Sequence, residues 1–180
     1  MAIAKKILNA LGKHQVKYRV LPHKTVYTAY DLATTLGEEL GKVAKTLLVR
    51  ADRRYVLVVL PASVRLDLPK LAKLLKAKAV SIAPEAAIKK LKLTPGTTPP
   101  FGSLVGLEVA LEKGLTTAGD IIVRAGSLTE SLGMKVKDFV KMEQPILGAF
   151  GVKGKIPKSA KKQVASRKRA ASTSKRKARR

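Results

Sequence analysis

A 180-residue chain that is 46% hydrophobic can bury one substantial core and carry an extension, and its formal charge of +25 points toward polyanionic partners. It contains no cysteine, which excludes disulfides, a thiolate nucleophile and Cys-ligated zinc, and its two histidines, His14 and His23, lack the clustered acids a metal site would need. No apolar run reaches bilayer length, and Met1 leads into a polar-interrupted helix rather than a signal peptide, so a soluble cytoplasmic protein without membrane contact is expected.

Ile3, Ile7, Leu8 and Leu11 recur at helical spacing and predict a helix over 3–13, with Gly12 suiting its end. Val16, Tyr18 and Val20 alternate and predict a strand over 16–21. Residues 28–36 read as a helix opened by Thr28 or Asp31. The runs 43–50 and 55–60 read as strands, and the short link over 51–54 predicts that they pair antiparallel. Asp67 caps a short helix over 68–75, with Pro69 in its first turn. A strand over 80–83, a helix over 84–91, a Gly/Pro loop and strands over 104–111 and 120–124 follow. Pro145 and Gly148 mark the expected end of packed structure. This divides the chain into a domain over 1–150 and a tail over 151–180. No internal repeat or regular βαβ rhythm is present, so the expected class is α+β with a mixed, mainly antiparallel sheet.

The charge is unevenly spread. Residues 151–180 hold 13 Lys and Arg and no acid, which leaves 24 basic and 12 acidic residues in the body. The tail alternates Lys and Arg with Ala, Ser and Pro, and disorder is expected because it has too little apolar content to fold with. Its candidate RNA-binding residues are Lys161, Lys162, Arg167, Lys168, Arg169, Lys175, Arg176, Lys177, Arg179 and Arg180. Cations released from nucleic acid would drive such contacts; the plainer alternative is a solubilising extension.

Two motifs stand out in the body. Lys45 is a cation inside the apolar pattern Val43 to Val49, where burial of a charge is costly. About fifty residues on, Gly96-Thr97-Thr98-Pro99-Pro100-Phe101-Gly102 forms a stiff loop in which Gly permits close approach and Pro removes freedom and a donor. An electropositive pocket walled by backbone is the functional reading; an ordinary strand lysine and a plain turn are the alternatives. His23 reads as a pocket wall or as a loop histidine. Thr28 reads as a substrate contact or as a helix cap. No Ser-His-Asp arrangement, P-loop or dinucleotide fingerprint is present.

In order and spacing these segments resemble the YbaK/prolyl-tRNA-synthetase-associated editing domain family, over about residues 5–150. The anchors are Pro22-His23 ahead of Thr28-Ala29, Val43-Ala44-Lys45-Thr46-Leu47, Leu60-Pro61-Ala62 with Leu66-Asp67-Leu68, the loop from Gly96 to Gly102, and Ala125-Gly126. The resemblance implies a curved, barrel-like sheet flanked by helices. It implies a free-standing aminoacyl-tRNA deacylase that acts without a protein nucleophile and without cofactor or metal. Lys45 would be the catalytic cation, and His23, Thr28, Gly96, Pro100, Phe101, Gly102, Gly126 and Ser127 would contact substrate.

Mischarged tRNA, carrying a small amino acid such as alanine or cysteine on tRNA for proline, is the implied partner. Other nucleic acid through the tail and association with an aminoacyl-tRNA synthetase are further partners the resemblance allows. The chain departs from the family at two points. Ser127-Leu128-Thr129-Glu130 stands where many free-standing relatives carry His, and Leu128 supplies no imidazole. Glu112 stands where relatives often have Asp, and keeps the charge. A different class of function also fits: a nucleic-acid-binding protein that acts through its tail, with a vestigial pocket.

Overall fold

The structure, a computed structural model, describes residues 4–154. The ten tail residues named above therefore lie outside the described residues. The elements in chain order are α1 (Lys5–Lys13), β1 (Tyr18–Pro22), α2 (Ala29–Leu36), β2 (Ala44–Ala51), β3 (Arg54–Pro61), β4 (Val64–Leu66), α3 (Leu68–Leu75), β5 (Val80–Ile82), α4 (Glu85–Lys90), a 3-10 turn (Gly102–Leu104), β6 (Glu108–Glu112), α5 (Lys113–Thr116), β7 (Asp120–Arg124), β8 (Glu130–Lys135), α6 (Val136–Glu143), β9 (Ile146–Gly148) and β10 (Gly151–Lys153).

The β2–β3 hairpin is the centre, paired antiparallel from Ala44–Pro61 to Ala51–Arg54. It sits in a five-stranded sheet of order β5-β2-β3-β6-β9; β6 and β9 join it in parallel. β1, β8 and β7 form a second, antiparallel sheet, and β10 pairs antiparallel with β4. One parallel bridge, Val43 to Ile122, joins the two larger sheets, and Ile122 N donates to Lys42 O at 2.9 Å. Five of the seven strand pairings are antiparallel, so the α+β class with a mixed, mainly antiparallel sheet flanked by helices is what the chain adopts.

Strand alternation sends the apolar residues of β2 and β3 to two sides. Ala44, Leu48, Leu57 and Val59 face the largest cluster, with Ile7 and Leu11 of α1 and with Phe101 and Phe139. On the other face, Val49, Val56, Val58 and Leu60 pack under Leu71 and Leu75 of α3 and Phe150. At the opposite end of that face, Val43, Ala62 and Ile122 pack under Leu32 and Ala33 of α2. Each fully buried Leu, Ile or Phe contributes roughly 1.5–3 kcal/mol. The helices are stopped locally: Asp67 caps α3 by accepting from Lys70 N, and α2 ends on Gly37 in the left-handed region. Among the described residues no helix is long and apolar enough to cross a membrane.

The expected boundaries need correction at two places. Packed structure does not end at Pro145 and Gly148, and the tail does not begin at residue 151. Phe150 is fully buried, and Gly151–Lys153 pairs with Val64–Leu66. This short apolar stretch gains its stability from a distant strand, which local periodicity does not register. The strand expected from residue 104 starts at Glu108, because Gly102–Leu104 turns as a 3-10 helix.

Candidate active site

Lys45 lies on the β2–β3 face that carries the α2 cluster at one end and the α3 cluster at the other, and it falls in the gap between them. It is half-buried, and Nζ donates to Val64 O at 2.6 Å. Burial, and secondarily the charge of Arg65, holds its pKa below the ordinary lysine range. No ion pair engages it among the described residues. An ammonium has three donors, so one bond to a carbonyl leaves two for a ligand.

The register places a second cation beside it. From the Val43–Ile122 bridge, β2 and β7 run in the same direction. Lys45 and Arg124 each stand two residues beyond the bridge, on the face of Val43 and Ile122. Arg124 is 5% exposed, and its guanidinium donates to Val26 O at 3.0 Å, Thr28 O at 3.4 Å and Ser127 O at 3.5 Å. Burial lowers its pKa, and Asp31 opposes that shift. Sequence reading missed Arg124. Its signal was the same as for Lys45: a cation closing the apolar run Ile121 to Val123.

The sheet is open at this point. Ala62 N donates to Val43 O and Ala83 N to Leu48 O, so Ala44, Thr46 and Leu48 turn their backbone groups away from β3. On that edge β7 is joined by a single bridge at Val43, and β5 begins at Val49. Thr46 therefore turns its N–H and C=O away from β3, toward the edge where no ladder follows the Val43 bridge, next to Lys45.

Arg124 also gathers the expected loops. The segment 26–28 is held by its guanidinium. A Cβ on Gly96, whose φ is +78°, would sit 3.4 Å from Tyr27 O, and Gly126 N donates to Thr97 O at 3.1 Å. Gly96, Gly126, Thr28 and Ser127 are thus neighbours. His23 joins them through its N–H to Thr129 O at 2.8 Å.

Several side chains have other duties than those expected. His23 Nδ1 lies 2.9 Å from Lys24 O and Nε2 lies 2.9 Å from Ser131 Oγ. A carbonyl only accepts, so Nδ1 carries the proton and a neutral ring accepts from Ser131 at Nε2. The ring pins β1 to β8. The Thr28 hydroxyl accepts from Asp31 N at 3.0 Å and donates to Asp31 Oδ2 at 2.7 Å, so it caps α2. Ser127 is fully buried, and its Oγ accepts from Thr129 N and Glu130 N at 3.1 Å each, which shapes the turn into β8.

Pro100 is buried, and Phe101, 1% exposed, packs on Phe139 with ring centroids 6.0 Å apart. A Cβ on Gly102 would lie 2.3 Å from Leu107 O. Phe101 and Gly102 therefore serve the core and the close passage of the chain beside itself. Glu112 is a backbone clamp: Oε2 accepts from Phe150 N at 2.6 Å and from Gly151 N, and Oε1 from Gly114 N at 3.4 Å.

Comparison with known proteins places the chain in a family and a fold. Residues 23–142 match the aminoacyl-tRNA editing domain family, a span that includes Lys45, Gly96, Arg124 and Gly126. No curated protein matches the chain. Among solved structures, a candidate trans-editing enzyme for prolyl tRNA synthetase superposes with a TM-score of 0.72 at 21% identity, over 82% of this chain and 96% of that one. The hypothetical protein APE2540 superposes with a TM-score of 0.76 at 17% identity, over 82% and 99%. A candidate signal transduction protein from Marinobacter aquaeolei VT8 shares the fold with a TM-score of 0.65 at 16% identity, over 84% of this chain and 31% of that one. At these identities the structures establish likeness of fold. The match over two thirds of the sequence establishes more: the chain belongs to the aminoacyl-tRNA editing domain family.

Proposed function

We propose that this protein is a trans-acting aminoacyl-tRNA deacylase that hydrolyses the ester of a small amino acid, of the alanine or cysteine type, on tRNA for proline. The observation that carries the reading is Lys45. It is a partly desolvated cation with donors to spare, beside an edge of β2 joined to β7 by a single bridge, in a chain of the editing family. Water attacks the ester carbonyl carbon, the bond to the ribose oxygen breaks, and the departing oxygen takes a proton to become the terminal hydroxyl. Lys45 and the Thr46 N–H are placed to stabilise the oxyanion that forms on the way. Gly96 and Gly126 supply backbone close to the substrate, and Arg124 holds the loops that carry it. His23, Thr28 and Ser127 act at one remove, by fixing those loops.

Release of amino acid from a panel of mischarged tRNAs, with Lys45→Ala as control, tests this. Ala-tRNA or Cys-tRNA for proline should be cleared fastest. Hydrolysis of every member at the buffer rate would remove the reading.

The composition of the tail favours a second activity, nucleic-acid binding through its 13 basic residues. Truncation after Gly154, which keeps β10, should weaken tRNA binding and flatten its salt dependence. Identical salt slopes with and without the tail would remove that contribution.

A further inference from the structure

The face that carries Arg124 continues past the candidate site into a basic groove. Across the β1-β8-β7 sheet the register makes three rows. Leu21, Ser131 and Arg124 form one; Arg19, Gly133 and Ile122 form the next; Lys135 and Asp120 form the third, with Lys17 just ahead of β1. The first row holds the His23–Ser131 contact and so belongs to the candidate site. Arg19 and Gly133 of the second row and Lys17, Lys135 and Asp120 of the third line an open cavity of about 580 Å³, walled further by Lys137 and Asp138 at the start of α6.

Arg19 lies over Gly133: a Cβ there would be in ordinary contact with Arg19 Nη2 at 3.5 Å and Nε at 3.6 Å, so the guanidinium lies across the sheet at this point. Lys135 pairs with Asp120 at 3.0 Å. No ion pair among the described residues engages Lys17, Arg19 or Lys137. Three cations thus face one further carboxylate, Asp138.

We propose that this groove binds the phosphodiester backbone of the RNA whose acceptor end enters the site. The proposal rests on the RNA substrate inferred above. A compact anion would need converging, desolvated donors. Here the cations are exposed and strung along two strand rows and a helix start, which suits an extended polyanion bound by counterion release. From Ser131 in the candidate site to Lys135 at the far row of the groove the distance is about 14 Å, four residues at roughly 3.4 Å each, a length of a few nucleotide steps. Tyr18, 37% exposed, stands at its edge as a surface on which a base can stack.

The test uses the full chain and an uncharged transcript of tRNA for proline, with equilibrium binding measured across a salt series. Lys17→Ala/Arg19→Ala/Lys137→Ala should lower the log–log salt slope by about two, since each phosphate contact contributes roughly 0.7–0.9. Affinity at low salt should fall tenfold or more, and the KM of deacylation should rise with it. Asp138→Lys should do the reverse, steepening the slope and tightening binding. Wild-type slope and affinity in a natively melting triple variant would overturn the groove, as would an Asp138→Lys variant that binds no tighter. A protein that deacylates nothing, yet loses tRNA affinity in the triple variant, would keep the groove and remove the catalytic reading. Normal deacylation with unaltered KM in the triple variant would do the opposite.

Discussion

Lys45 and Arg124 on one side, and Glu112 on the other, are ionisable groups drawn out of water and satisfied in opposite ways. The two cations rest on backbone carbonyls: Lys45 on Val64 O, Arg124 on the carbonyls of Val26, Thr28 and Ser127. The carboxylate of Glu112 is enclosed by the backbone N–H groups of Phe150, Gly151 and Gly114. Each arrangement offsets the cost of burial. They differ in what remains. Glu112 has its oxygens turned to the backbone and closes a fold boundary. Lys45 keeps two donors and an uncancelled charge beside an open strand edge. A buried charge that stays incompletely satisfied marks a place for a ligand; one that is fully satisfied marks a joint.

Four experiments sharpen or break that contrast, from the largest expected effect to the smallest. Lys45→Ala should lower kcat/KM for a cleaved aminoacyl-tRNA by about 10²–10³-fold, the usual loss for a positioned oxyanion donor, with little change in thermal melting. A variant that melts as wild type and turns over as wild type would remove Lys45 from the chemistry.

Glu112→Ala should behave in the reverse way. It leaves buried N–H groups of the 150–151 segment without acceptors, at a cost of about 2–3 kcal/mol in unfolding free energy. Amide exchange should speed up over β10 and β4, while the rate per folded molecule holds. Loss of rate without loss of stability would break the comparison.

The pH dependence comes next. Burial lowers the Lys45 pKa, so the cation is lost as pH rises through a value below the ordinary lysine range. Activity that needs the charge should decline there. Folding stability should move the other way: between the folded and unfolded values the unfolded chain binds more protons, so this group makes the fold more stable as pH rises. Lys45→Arg should shift the alkaline limb of a kcat/KM profile upward. A limb at the same pH in the variant would show that another group sets it.

The smallest effect is expected at Gly96. Its φ of +78° strains any other residue by about 1 kcal/mol, and an added methyl meets Tyr27 O at 3.4 Å. Gly96→Ala should therefore raise KM a few-fold through the 26–28 segment, which substrate titration would detect. An unchanged KM would separate this loop from substrate binding.

Local signals were legible along the chain. The β2–β3 hairpin, the Asp67 cap with Pro69 at the start of α3, and the Thr28 cap of α2 all follow from residues next to one another. Lys45 was legible for a similar reason, because a cation interrupts an apolar run. β8 was not: Gly133 and Ser131 dilute its apolar alternation, and the strand exists because β1 and β7 flank it. β10 was hidden likewise, since its partner is β4. The loop from Gly96 to Gly102 read as one wall, yet it divides. Its first half touches Tyr27 and Gly126, and its second half fills the core with Phe101.

By itself the sequence determined the fold class, most of the helices and strands in the first two thirds of the domain, and the cation on which the proposed chemistry turns. These depend on periodicity, caps and turn residues, whose causes lie within a few positions of the residue concerned. Only the tertiary structure decided which polar groups face a ligand and which are committed to the fold. His23 became a pin between strands, and Arg124 became the hub of the loops. Thr46 was left on the edge where no ladder follows the Val43 bridge. Those outcomes depend on the bridge from Val43 to Ile122 and on carbonyls supplied from distant segments. A hydrogen bond is decided by where its partner ends up, and long-range pairing places that partner.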